Sequence, residues 1–305
     1  DAILFARVGA RKIFSPMVSY LFIAAGLTLN APNFSEEHLG VGYLEWLTNS
    51  LVATFIVVAT IVYLARQATR QLAIIPGPSQ NIFEAVMVIL YDTLEGIVGK
   101  HMVTRVFSLL ATLFIFILIA NWFGLLPGVG SIGWGDVTGS FRHVPNVEVP
   151  ILRPTTADLN MTLGMAVIFM GFWLYWTLSE VGLMGFLKHT FGVKGGMKGI
   201  MAALLFPIFF FVGIIEIVSI GFRPISLSLR LFGNVFAGEN LLTTMITLGK
   251  TLGVPEWIAV VISLIVPIPF YFLELLVGLL QAMVFVLLCA VYIQLSTTHD
   301  EDEAH

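Results

Sequence analysis

Along most of this chain apolar residues neither alternate nor form a single stripe; they fill whole stretches, so that a run such as 109–126 is apolar on every side. Runs at 46–64, 106–126 and 159–178 have the length, about 20 residues, of a helix that crosses a hydrocarbon core of about 30 Å. Two far longer ones follow, 200–248 and 256–296. Together they predict five crossings. A transmembrane β-barrel would show short segments of alternating polarity, which these are not, so the pattern predicts an all-α, polytopic membrane bundle. Segments of roughly 40 to 50 residues reach about 60 to 75 Å as helices, about twice the hydrocarbon thickness, so the two C-terminal helices are expected to be strongly tilted or bent. Pro207, Pro224, Pro267 and Pro269 offer places to bend, since each removes a backbone hydrogen bond.

Shorter patterns fill in the rest. The stretch 81–98 carries Glu84, Asp92 and Glu95 amid apolar residues and suits a helix lying at the membrane interface, or a solvated loop helix, better than a span. At the N-terminus, Arg7, Arg11 and Lys12 precede a short apolar run, 17–29, that breaks at Asn30-Ala31-Pro32. That outline fits a signal peptide, an interfacial helix or an extra span. The organisation is therefore an N-terminal extension (1–43), one membrane domain (44–298) and an acidic tail (299–305).

Composition narrows the function classes. Of 305 residues 58% are apolar and only 11% charged, against about one-quarter charged in an ordinary soluble domain. The net charge is -4 and no Lys/Arg run occurs, so the lipid bilayer and not nucleic acid is the expected environment. The single cysteine, Cys289, has no mate for a disulfide or a Cys-based metal site. The six histidines, His38, His101, His143, His189, His299 and His305, fall in loops or termini, leaving no intramembrane pair to hold a haem; neither a metal nor a cofactor is expected. Arg66, Arg70, Lys100 and Arg105 collect on one side with Lys188, Lys194 and Lys198, which predicts that these loops face the cytoplasm. The loop 127–158, with only Arg142 and Arg153, falls opposite, and five crossings then put the C-terminus inside.

The fourth long segment interrupts its apolar run with Glu216, Ser219, Arg223, Ser226, Arg230 and Asn234, in steps of 3, 4, 3, 4 and 4. Such steps place all six on one helical face. An ionisable face turned to lipid is expensive, so the stripe is expected to meet a water-filled cavity or a protein partner; snorkelling from a helix end is the alternative for Glu216 and Arg223. Arg230 lies too deep for that, and its guanidinium stays charged in any environment, so it requires a carboxylate. Glu216, Glu239 and Glu274 are the chain's own candidates, but Glu239 lies about half a turn round the helix from Arg230. An acid from another subunit is expected instead. On the last segment Glu274 and Gln281 share a face, with Gly278 between them leaving room for water or a close neighbour. Packed antiparallel, the two segments would gather Asn234, Glu239, Glu274 and Gln281 round one wet path.

The run Arg223-Pro-Ile-Ser-Leu-Ser-Leu-Arg230-Leu-Phe-Gly-Asn234-Val-Phe-Ala-Gly-Glu239 closely resembles the signature of subunit a of the F-type ATP synthase. Pro154-Thr-Thr-Ala-Asp158-Leu-Asn160, Asn121-Trp-Phe-Gly-Leu-Leu-Pro127, and Leu280-Gln281-Ala-Met-Val-Phe285 followed by Val291-Tyr292 resemble it too, and together they cover roughly 44 to 298. The resemblance implies a non-catalytic stator channel with two offset half-channels that serve a rotating ring of carboxylate-bearing c subunits, alongside peripheral-stalk b-type subunits and the rest of the complex. It puts the essential ion-translocation arginine on Arg230, an inlet half-channel on Asn234, Glu239, Glu274 and Gln281, and an outlet on Glu216, Ser219, Arg223 and Ser226. The ion would be a proton or sodium, chosen mainly by the ring, and the membrane a bacterial plasma membrane in preference to an organellar one. Many bacterial members carry His seven residues before the conserved Gln, and mitochondrial ones usually carry Glu there with His at the position of Glu239; here both are glutamate. Three rival classes fit less well. A self-contained secondary transporter would favour inverted repeats, which this chain lacks, a respiratory haem subunit would need intramembrane ligands, and a scaffold gives no reason to keep Arg230.

Overall fold

The computed structural model describes residues 48–70, 77–126, 129, 133–134, 149–150, 152–191 and 200–297. The N-terminal extension and the acidic tail anticipated at 1–43 and 299–305 lie outside these residues. Among these residues seven helices run in chain order: α1 Asn49–Thr69, α2 Pro78–Val98, α3 Lys100–Gly124, α4 Leu159–Phe191, α5 Ile200–Thr251, α6 Glu256–Ile265 and α7 Pro267–Thr297. A 3-10 turn, Thr155–Ala157, precedes α4. The chain is a polytopic helical bundle, and five segments are long and apolar enough to cross a membrane: Asn49–Thr69, Lys100–Gly124, Leu159–Phe186, Pro207–Gly249 and Glu256–Ser296. A two-residue antiparallel ladder in the Gly/Pro-rich loop, pairing Gly133 with Pro150 and Trp134 with Val149, was not foreseen.

Local chemistry sets the helix ends. Thr48 caps α1 by accepting from the Leu51 N–H at 3.3 Å. Between α2 and α3 the chain turns at Gly99, whose φ of 82° is a conformation that other residues rarely adopt. The break inside α4 has the same cause, Gly182 at φ 74°. α5 stays helical through both Pro207 and Pro224 over 52 residues, about 78 Å at 1.5 Å per residue. The last segment does not: it divides at Val266 into α6 and α7. A lone proline removes one ladder donor, whereas Pro267 and Pro269 remove two from a single turn, and the helix restarts with Pro267 in the first position, where no donor is needed. His101 and His189, read as loop residues, sit in the end turns of α3 and α4.

The core is formed where α3, α4, α5 and α7 meet, around Leu110, Ile117, Phe169, Leu227, Leu231, Phe285 and Ile293, with Leu90 and Leu94 of α2 against it. Outward, α1, α4, α5, α6 and α7 expose Phe55, Tyr175, Phe222, Trp257 and Phe272. An apolar exterior on this scale suits lipid, since soluble monomers rarely carry large contiguous apolar patches. The hydroxyls of Thr243, Thr244, Thr247 and Thr251 on α5 each donate to the carbonyl four residues back, so the helix satisfies its own polar side chains. At one end of the bundle an ion pair between Arg105 and Glu180 ties α3 to α4.

Candidate functional site

α5 presents two faces of different character. Leu227, Ser228, Leu231 and Phe232 are buried against the bundle, while Ser219, Ser226 and Arg230 are exposed on the outer side; Asn234 is exposed but turned toward α7, and Glu216 and Arg223 are partly covered. The 3-and-4 spacing explains the separation, since it keeps the stripe on one side of the helix axis. Among the described residues no carboxylate lies within ion-pair distance of Arg230.

Arg223 is turned differently from the rest of the stripe. Its guanidinium carbon stands 5.5 Å from the centre of the Trp173 ring and 4.8 Å from that of Tyr292, which sandwich it between α4 and α7. The Trp173 indole N–H donates to the Tyr292 carbonyl at 2.9 Å, fixing that ring to the neighbouring helix. Glu216 lies two turns earlier on the same side of α5.

Beyond Arg230, the four residues assigned to the inlet fall into separate contacts along α5 and α7. The Asn234 amide donates to Gln281 Oε1 at 2.6 Å. One turn further on, the Glu274 carboxyl lies against Gly238, where any larger side chain would overlap it, beside Glu239. Glu239 itself faces Arg153, with Oε2 4.0 Å from the Arg153 Nε. Gly278 has a close neighbour: a Cβ there would come within 3.2 Å of the Asn121 side chain, and α3 closes on α7 through the Asn121 amide to the Gly278 carbonyl at 3.2 Å and the Trp122 indole to the Leu275 carbonyl at 3.1 Å.

The segment before α4 completes this end. Thr156 donates to Asn121 Oδ1 at 2.8 Å, Ser50 of α1 donates to Asp158 Oδ2 at 2.6 Å, and Asp158 Oδ1 caps α4 by accepting from the Asn160 N–H at 2.9 Å. The Pro-Thr-Thr-Ala-Asp-Leu-Asn motif thus fastens α1, α3 and α4 together. Sequence reasoning missed Arg153, Trp173 and Tyr292 as contacts of the polar residues. Arg153 carried a signal, a lone charge directly before that motif; the two aromatic residues, set in apolar runs, carried none.

The geometry defines a multi-pass α-helical membrane protein with one arginine, Arg230, exposed on the outer side of a long helix and a buried polar cluster beside it. The ATP synthase A chain family matches residues 47–294. Curated relatives agree: ATP synthase subunit a of Gloeobacter violaceus is 29% identical over 87% of this chain and 89% of its own length. Those of Moorella thermoacetica and Citrifermentans bemidjiense are each 31% identical, over 80% and 88% of this chain and 88% and 96% of their own lengths. The chain belongs to the ATP synthase A chain family, that of subunit a, a non-catalytic membrane subunit of the F-type complex.

Proposed function

We propose that this chain is the stator ion channel of a bacterial F-type ATP synthase, its membrane domain spanning 44–298 and its C-terminus cytoplasmic. Arg230 faces the c-ring and separates an inlet path at Asn234, Glu239, Glu274 and Gln281 from an outlet path at Glu216, Ser219, Arg223 and Ser226. An ion that enters neutralises a ring carboxylate, which can then travel through lipid because its charge is gone. After nearly a full turn the carboxylate gives up its ion to the outlet and meets Arg230, whose fixed charge favours the ionised acid and repels a passing cation. Flow without rotation is blocked, so a potential of 100 mV, worth about 2.3 kcal/mol per charge, becomes torque. The ion is a proton or sodium according to the ring carboxylate, and b-type subunits of the peripheral stalk hold the channel still.

The observation that carries this reading is Arg230 itself, exposed on the outer face of α5 with no acid of the described chain beside it. A permanent charge inside a membrane demands a partner, and a passing carboxylate supplies one. In assembled ATP synthase, Arg230→Ala is expected to abolish ion-driven ATP synthesis while ATP hydrolysis by the catalytic head continues. Synthesis at the normal rate in that variant overturns the assignment.

A further inference from the structure

Arg153 belongs to neither path assigned above, yet it is one of the few charged side chains enclosed by the bundle, 8% exposed. Its backbone is held from several sides. Next to it Pro154 packs on Gly124 of α3 so closely that a Cβ at Gly124 would come within 2.9 Å of the ring; beyond, Thr156 is bonded to Asn121 and Asp158 to Ser50. The guanidinium therefore emerges from an anchored turn, not a loose loop. It points at Glu239, Nε to Oε2 4.0 Å, and that buried oxygen has no hydrogen-bond partner among the described residues. Thr155 Oγ1, one residue past Pro154, is buried and without a partner as well.

A guanidinium keeps its charge when buried, and a buried charge left unpaired is strongly destabilising, so Arg153 needs the carboxylate in front of it. At 4.0 Å the pair is longer than a direct charge-assisted hydrogen bond, about 2.7–2.9 Å. Attraction across that gap aims the carboxylate without occupying its lone pairs. The oxygen, buried and without a hydrogen-bond partner among the described residues, keeps its lone pairs free to take an ion.

We propose that Arg153 is a positioning residue of the inlet: held by the turn before α4, it aims the Glu239 carboxylate at the mouth of the path. The inference rests on the inlet assignment of Glu239. Every other charged group in reach follows from the packing: Glu274 of α7 lies beside Gly238, and no further ion pair reaches Glu239 among the described residues.

The test is ATP-driven ion pumping by the assembled synthase in inverted membrane vesicles, normalised to assembled complex, for Arg153→Gln, Arg153→Lys, Glu239→Gln and the double variant Arg153→Gln/Glu239→Gln. Arg153→Gln should slow pumping about tenfold, within the range of coupling between residues in contact. Arg153→Lys, which keeps the charge, should restore most of the rate. In the Glu239→Gln background, removing Arg153 should cost no more than about twofold, because the group it aims is gone. An equal loss in both backgrounds, a lysine variant as slow as the glutamine one, or a wild-type rate in Arg153→Gln each overturns the proposal. Wild-type pumping by Glu239→Gln overturns the inlet assignment as well, which separates the two failures. If Arg153→Gln does not assemble, the double variant should, since it removes both buried charges; failure of both places Arg153 in folding and overturns the positioning role.

Discussion

Gly238→Ala probes the inlet with a single methyl group. The added Cβ would overlap the carboxyl group of Glu274, so that group must withdraw to ordinary contact, about 3.5 Å or more. It is the far end of a flexible side chain, and moving it off its preferred rotamer costs about 0.5–1.5 kcal/mol. If that position is the one from which Glu274 passes ions, the same energy adds to the barrier. With about 1.4 kcal/mol per decade of rate, pumping should fall roughly 2- to 12-fold. Assembly should not suffer, since Ala favours the helix over Gly by about 1 kcal/mol and offsets the local strain. The assay is ATP-driven pumping in inverted vesicles, with ATP hydrolysis and the amount of assembled subunit measured alongside. Undiminished pumping by Gly238→Ala, in a setting where Glu274→Gln is slow, would refute the idea that the Glu274 carboxyl works from its place against α5.

Two further outcomes are expected. Glu239→Gln and Glu274→Gln should each slow pumping and the double variant should slow it much further; a double variant that pumps like wild type places the path elsewhere. In a Cys289→Ala background, cysteines at 216, 219, 223, 226, 230 and 234 should react with silver ion near the half-channels or cross-link to the ring beside Arg230, whereas cysteines at Ile217, Ile220 and Leu227 stay inert, because the thiolate forms only where water reaches. Uniform reactivity from 216 to 234 would remove the one-sided stripe.

The crossings were legible because lipid imposes a plain rule, that a spanning segment be long, apolar and internally hydrogen-bonded, and the five expected spans coincide with helical segments, the last of them divided at Val266. That Ser219, Ser226 and Arg230 leave α5 on one side was legible for a related reason: a period of 3.6 ties sequence spacing to direction. Breaks were harder. Four prolines were equal candidates for a bend, yet Pro207 and Pro224 ride inside α5 and only the Pro267/Pro269 pair coincides with an interruption, while the sharp turn in α4 falls at Gly182, which no pattern singled out. An interruption depends on how many donors one turn loses and on how neighbouring helices pack there, and the second is a tertiary property. Tertiary too are the partners of the polar residues. Helical spacing told which side of α5 Arg223 leaves from, but the aromatic sandwich of Trp173 and Tyr292 is built from two other helices.

The polar residues differ in how far the chain itself satisfies them, and the difference bears on mechanism. Asn234 has Gln281, Glu239 has Arg153, and Arg223 has an aromatic pair, all supplied from within the bundle. Arg230 has no such acid among the described residues. Groups that hand ions along a fixed path gain from partners that hold them in place, because a misplaced carboxylate lengthens each transfer. A group that must meet each of a succession of carboxylates gains from the opposite arrangement: a permanent internal partner would neutralise Arg230 and leave the ring free to pass with its ion still bound. An acid engineered onto the exposed face one turn away, as in Ser226→Glu, would supply that partner. On the proposed mechanism it therefore impairs coupling although it adds a favourable ion pair to the isolated chain.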